Sequence, residues 1–195
     1  MSLFIPVDQW LAVTPEVFSD VGGRSPEQYV KCIEQFHVDV HPRYKRNAQG
    51  YTMCNIFAAD VLGYAMKAPC PHWVDATTQA PLPIGPNALP IQQKNRAELS
   101  GNGICKWLQT VGVSTYGWKV CTPAQACVEA SKGNPTTVTW LNPTGIGHIG
   151  VIRPSTFPNI RLAQAGGSNF VDGSIGNGFG SDPKRMAQLV YLSHA

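Results

Sequence analysis

Apolar residues Tyr29, Ile33 and Phe36 recur three to four positions apart, the spacing that places them on one helix face. Ser25-Pro26-Glu27-Gln28 opens that stretch with a capping serine, a proline at the first helical position and a glutamine at the third, so a structural helix is predicted to begin there. Further on the pattern changes. From Cys54 to about Lys67, Ile56, Phe57, Val61, Leu62, Ala65 and Met66 cover nearly every side, as in a central helix packed all round, with Thr52 its predicted N-cap. A helix is predicted over 96–111 with Ile104, Trp107, Leu108 and Val111 inward. Another is predicted from the capping box Thr122-Pro123-Ala124-Gln125 to Gly133.

The second half switches to β-branched runs. Strands are predicted over 136–141, over 144–153 and 159–164 as a hairpin, and near 186–192. Closing the hairpin with a turn at 154–158 pairs Arg153 with Asn159 and sets His148 opposite Gln164, close enough for the carboxamide to hold one imidazole nitrogen. Helices first and an antiparallel sheet after define an α+β protein. The segment 68–92 is rich in proline and lacks periodicity. It is expected to wall a substrate cleft with His72 and Trp73 near its opening, or else to be a surface flap.

The candidate chemistry starts at Cys54. In the first turn of a helix, free backbone N–H groups and the helix dipole favour thiolate over thiol, although free cysteine is also a common core residue. His148 is the candidate base and Gln164 the residue that orients it; together they would let a thiolate attack an amide carbonyl. His37 and His41, with Cys70 and His72, can be drawn as zinc ligands, but their spacings match no standard pattern, so neither metal nor cofactor is expected.

Thr52-Met53-Cys54-Asn55-Ile56-Phe57 with Asp60-Val61, Pro71-His72-Trp73-Val74, Gly147-His148-Ile149 and Gln164-Ala165-Gly166-Gly167 resemble the papain-fold, NlpC-type cell-wall cysteine peptidases and amidases, close to phage-encoded and secreted bacterial peptidoglycan hydrolases. The similarity spans roughly 40–180. It implies a papain-like α+β fold with the nucleophile at a helix N-terminus, catalysis by Cys54, His148 and Gln164, and cleavage of an amide in the peptidoglycan peptide. It also implies an oxyanion held by the Cys54 N–H and an upstream polar side chain. Tyr51 and Tyr44 are the candidates there, with plain packing as the alternative. Trp73 and Gly147 complete the expected substrate-binding set. Asn55 is read as support for the helix start, Asp60 as a structural hydrogen-bonder, and Trp140 as a cleft wall or a core residue.

Composition narrows the setting. A chain of 195 residues with 14% charged residues, 19 glycines and 16 prolines suits one loop-rich domain over 1–195. A net charge of +3, scattered along the chain, excludes a nucleic-acid-binding role. No stretch is long and apolar enough for a membrane span, and Met1–Asp8 lacks the features of a secretory signal, so synthesis in the cytoplasm and action in the periplasm or at the wall after release or secretion are expected. With Cys54 reserved, the other five of six cysteines leave room for one or two bridges after export. A monomer is expected, with the peptide stem as partner and an immunity or inhibitor protein if the enzyme is a toxin. Acyl transfer by the same Cys–His pair and an inactive wall-binding module are the alternatives.

Overall fold

Ser25 accepts a hydrogen bond from the Gln28 N–H and starts α1 (Pro26–Glu34), which buries Tyr29 and Ile33 as the apolar spacing requires. These elements belong to a computed structural model that describes residues 12–82 and 94–195. The chain then makes a 3₁₀ turn at Pro42–Tyr44 and enters α2 (Cys54–Ala58), every residue of which is buried. The helix runs on as a π-helical segment, Ala59–Ala65. Thr52 is not its cap. Met53 occupies that place without a side-chain bond, and Cys54 is the first helical residue.

A small sheet follows, β1 (Trp73–Asp75) against β2 (Arg96–Glu98), with Trp73 opposite Glu98. The predicted helix over 96–111 is thus corrected at its start: pairing with β1 takes 96–98 into a strand, and α3 (Gly101–Trp107) begins only after its cap, Ser100. It continues through a π turn at Leu108–Gly112 into α4 (Val113–Thr115). Residues 83–93 of the proline-rich segment, and the N-terminal stretch considered for a signal, lie outside the described residues.

The remaining elements are β3 (Trp118–Cys121), α5 (Pro123–Ser131), β4 (Thr136–Trp140), β5 (His148–Ile152), β6 (Arg161–Gln164), β7 (Phe170–Ser174), α6 (Ile175–Phe179), α7 (Pro183–Met186) and β8 (Val190–His194). The capping box of Thr122 and Gln125 opens α5 as predicted. The closing strand sits a turn later than its predicted 186–192, because Asp182 and Pro183 start α7 there. Six strands form one antiparallel sheet in the order β3-β8-β4-β5-β6-β7. Mixed helix and antiparallel sheet make this an α+β protein. Helix α2 packs on β5 and β6, and α3 on β4 and β5, so the core forms between these helices and the centre of the sheet.

The hairpin register differs from the prediction. Val151 pairs with Ala163 and Ile152 with Leu162, while the Arg153 N–H reaches Arg161 O at 2.8 Å instead of pairing with Asn159. The connection therefore spans 154–160. Side chains alternate with period two, so a slip of two residues leaves His148 and Gln164 on the same face as diagonal neighbours. All six cysteines are free thiols. Among the described residues no helix is long and apolar enough to cross a membrane.

Candidate active site

The site gathers at one end of the sheet, where α2 begins and β5 and β6 present their ends. The first bond of α2 runs from the Phe57 N–H to Met53 O, so the N–H groups of Cys54, Asn55 and Ile56 precede the helical ladder and carry its positive end. Cys54 meets His148 there, and the sulfur also accepts from the backbone N–H groups of Asn55 and Ile149. Asn55 anchors this turn by donating its Nδ2 to Leu99 O at 2.9 Å.

His148 is held by its other nitrogen. Its Nε2 lies 2.6 Å from Gln164 Oε1, while Gln164 Nε2 donates to Ser168 O at 3.0 Å. With the amide's donors turned to Ser168, its oxygen can only accept, so His148 Nε2 carries a proton. Nδ1 is left to face the sulfur. Phe179 packs on the ring with centroids 4.8 Å apart, and Cys105 Sγ donates to His148 O at 3.2 Å.

These contacts favour charge separation. Burial by itself pushes the Cys54 thiol up. The hydrogen bond and charge of His148, with the two backbone N–H groups, outweigh it and hold the thiol below its ordinary range. Burial by itself lowers the His148 pKa, but the Cys54 hydrogen bond and charge, together with Gln164, carry it above the usual imidazole value. Both shifts favour a thiolate–imidazolium pair over the neutral thiol and imidazole. Burial instead raises Cys70, Cys105 and Cys121, and pushes Cys32 up to about 11.

The residues that fix this geometry are mostly ones the sequence did not single out. A Cβ on Gly178 would stand 2.6 Å from Gln164 Oε1, and one on Gly166 would stand 2.8 Å from Gln164 Nε2 and 3.2 Å from His148 Cε1. Only bare backbone leaves the carboxamide its place. Asn169 ties this turn down, accepting from the Gly166 N–H and donating to Val38 O and Tyr44 O. On the other side, Asn102 Nδ2 donates to Asn142 O and Gly145 O, and its Oδ1 accepts from the Asn142 N–H, bracing the loop that leads into His148. Gly166 stands in the quoted Gln164-Ala165-Gly166-Gly167 motif. Nothing in the sequence marks Gly178, Asn102 or Asn169.

A cleft of about 280 Å³ opens beside Cys54, lined by Tyr51, Met53, Asn55, Ile56, Glu98 and Ile146 among others. Tyr51 is 56% exposed on its rim. Tyr44 lies elsewhere: it is buried, and its hydroxyl donates to Asp60 Oδ2 at 2.8 Å beside the two-pronged Arg43–Asp60 ion pair. Its hydroxyl is thereby committed to structure and does not face the cleft. Trp73 is buried in β1, while its neighbour His72 reaches the cleft wall through Glu98. Gly147 is buried below the base, where a Cβ would meet Asn102 Oδ1 and Trp140 O; its role is close packing. Trp140 is half-buried, its indole N–H bonded to Gln188. His41 Nδ1 accepts from the Arg43 N–H, and among the described residues no group of three His, Cys, Asp or Glu side chains is arranged to hold a metal.

No known family model matches the chain, and no curated protein matches it in sequence.

Proposed function

We propose that this protein is a cysteine amidohydrolase of papain-like, NlpC-type architecture that cleaves an amide of the peptidoglycan peptide. One observation carries the reading: a cysteine sulfur at a helix start hydrogen-bonded to an imidazole whose far nitrogen is held by a carboxamide. The Cys54 thiolate attacks the amide carbonyl carbon. A C–S bond forms, and the carbonyl electrons move to an oxyanion beside the Cys54 N–H at the positive end of the helix. The oxyanion collapses, the C–N bond breaks, and the His148 imidazolium gives its proton to the departing amine. Neutral His148 then takes a proton from water, whose oxygen attacks the thioester; the C–S bond breaks and the thiolate and imidazolium return.

Gln164 is a positioning residue. It stabilises the protonated imidazole and keeps the ring from turning away from sulfur. The choice of the wall peptide as substrate rests on the motifs around Cys54, His148 and Gln164, and it places the site of action in the periplasm or at the wall. Purified sacculi treated with wild-type protein and with Cys54→Ala, followed by mass analysis of the released fragments, test the proposal. Wild type is expected to release fragments ending in a new carboxylate and a new amine, and the alanine variant none. Equal release by both would overturn it.

A further inference from the structure

We propose that Arg185 is a positioning residue for the base: it clamps the two aromatic side chains beside His148, Phe179 and Trp140, and so keeps the imidazole turned toward Cys54. The inference deepens the reaction proposed above, from which it takes the role of His148. Phe179 packs on the imidazole with ring centroids 4.8 Å apart, and Trp140 is the cross-strand partner of His148 in the β4–β5 pair. The Arg185 guanidinium touches both. Its Nη1 donates to Phe179 O at 3.0 Å, and its central carbon stands 4.6 Å from the centre of the Trp140 ring.

Phe179 needs such an anchor because it ends a very short helix. α6 has five residues, too few to hold its shape in water by its own hydrogen bonds. Ser174 and Asn177 cap its start, whereas its last carbonyls have no partner further along the helix. Gly180, at φ 76°, turns the chain away there, and the Arg185 side chain comes back over the turn to take the Phe179 carbonyl. Trp140 is fixed from the same segment. Gln188 Oε1 accepts from its indole N–H at 3.0 Å, and the Gln188 N–H is bonded to Arg185 O at 2.9 Å. A planar guanidinium can stack on an indole and donate to a carbonyl at the same time. Phe179 restrains the imidazole by contact alone, so the restraint is only as firm as its own anchorage.

The test is the rate at which iodoacetamide alkylates Cys54 at neutral pH, mapped by peptide mass analysis in wild type and in variants of Arg185 and Phe179. Arg185→Met keeps an unbranched stem and removes the cation and its donors. It is expected to slow alkylation about tenfold while circular dichroism stays native, because an imidazole free to turn leaves the sulfur without its partner. Arg185→Lys keeps a cation for Trp140 and a donor for Phe179 O, and is expected to stay within about threefold of wild type. Phe179→Leu should slow alkylation by itself, and adding Arg185→Met to it should cost less than about twofold more, since the arginine acts through that ring. Four results would each overturn the proposal: an Arg185→Met rate within about twofold of wild type, a lysine variant as slow as the methionine one, losses that multiply in the double variant, or slowing that tracks loss of native circular dichroism. Alkylation needs no wall substrate. Sacculi left uncut by wild type therefore remove the proposed reaction alone, and normal digestion with unchanged alkylation removes the role of Arg185 alone.

Discussion

Replacing Gln164 with methionine isolates what the carboxamide does for the base. Methionine keeps the length and most of the volume of a buried side chain, so the cavity cost is small. What disappears is the 2.6 Å bond to His148 Nε2 and the partner of Ser168 O. A hydrogen bond to a charged donor contributes about 1.5–3 kcal/mol, which corresponds to a fall of roughly tenfold to hundredfold in kcat/KM if the imidazolium is the form that acts. The sign on pH follows from the cause. Gln164 helps raise the His148 pKa, so without it the imidazolium is lost at lower pH and the alkaline limb of the activity profile moves toward acid. Alkylation of Cys54 by iodoacetamide, followed across pH and mapped by peptide mass analysis, reads the same pair without any wall substrate. An unshifted alkaline limb together with an alkylation rate within about twofold of wild type would refute the role assigned to Gln164.

With the Cys54 pKa lowered and the His148 pKa raised, kcat/KM should be bell-shaped, falling on the acid side as the thiolate protonates and on the alkaline side as His148 loses its proton. Iodoacetamide at neutral pH should modify Cys54 ahead of Cys32, Cys70, Cys105 and Cys121, whose thiols burial raises; modification of those four at the same rate would contradict the charge separation. Gly178→Ala should push Gln164 off His148 and lower kcat/KM about tenfold or more while circular dichroism stays native, since its Cβ would stand 2.6 Å from Oε1. Arg43→Met should destabilise the protein by about 3–5 kcal/mol in urea unfolding, because it strands the buried Asp60 carboxylate.

Local chemistry made much of the chain legible. Ser25 and Thr122 cap their helices with side chains only three residues from the N–H groups they satisfy, so both helix starts could be read directly. The apolar wrap from Ile56 to Met66 announced a central helix, and the glycine-led β-branched run announced the strand that His148 opens. Long-range pairing was not legible. Residues 96–98 read as helix until β1 supplies hydrogen-bond partners, and β3 and β7, which escaped notice, are the two edge strands of the sheet, each paired on one side only.

From its own order of residues the chain determined a thiol at a helix start, an imidazole at a strand start and a carboxamide one strand further on, because capping and periodicity act over a few positions. The tertiary structure alone decided that they meet. The hairpin slipped by two residues without changing faces, Asp60 drew the Tyr44 hydroxyl into the interior, and the bare backbone at Gly166 and Gly178 cleared room for Gln164. Such outcomes depend on hydrogen bonds and clearances between segments far apart along the chain, which pack at fixed distances only when the whole sheet and its helices are in place.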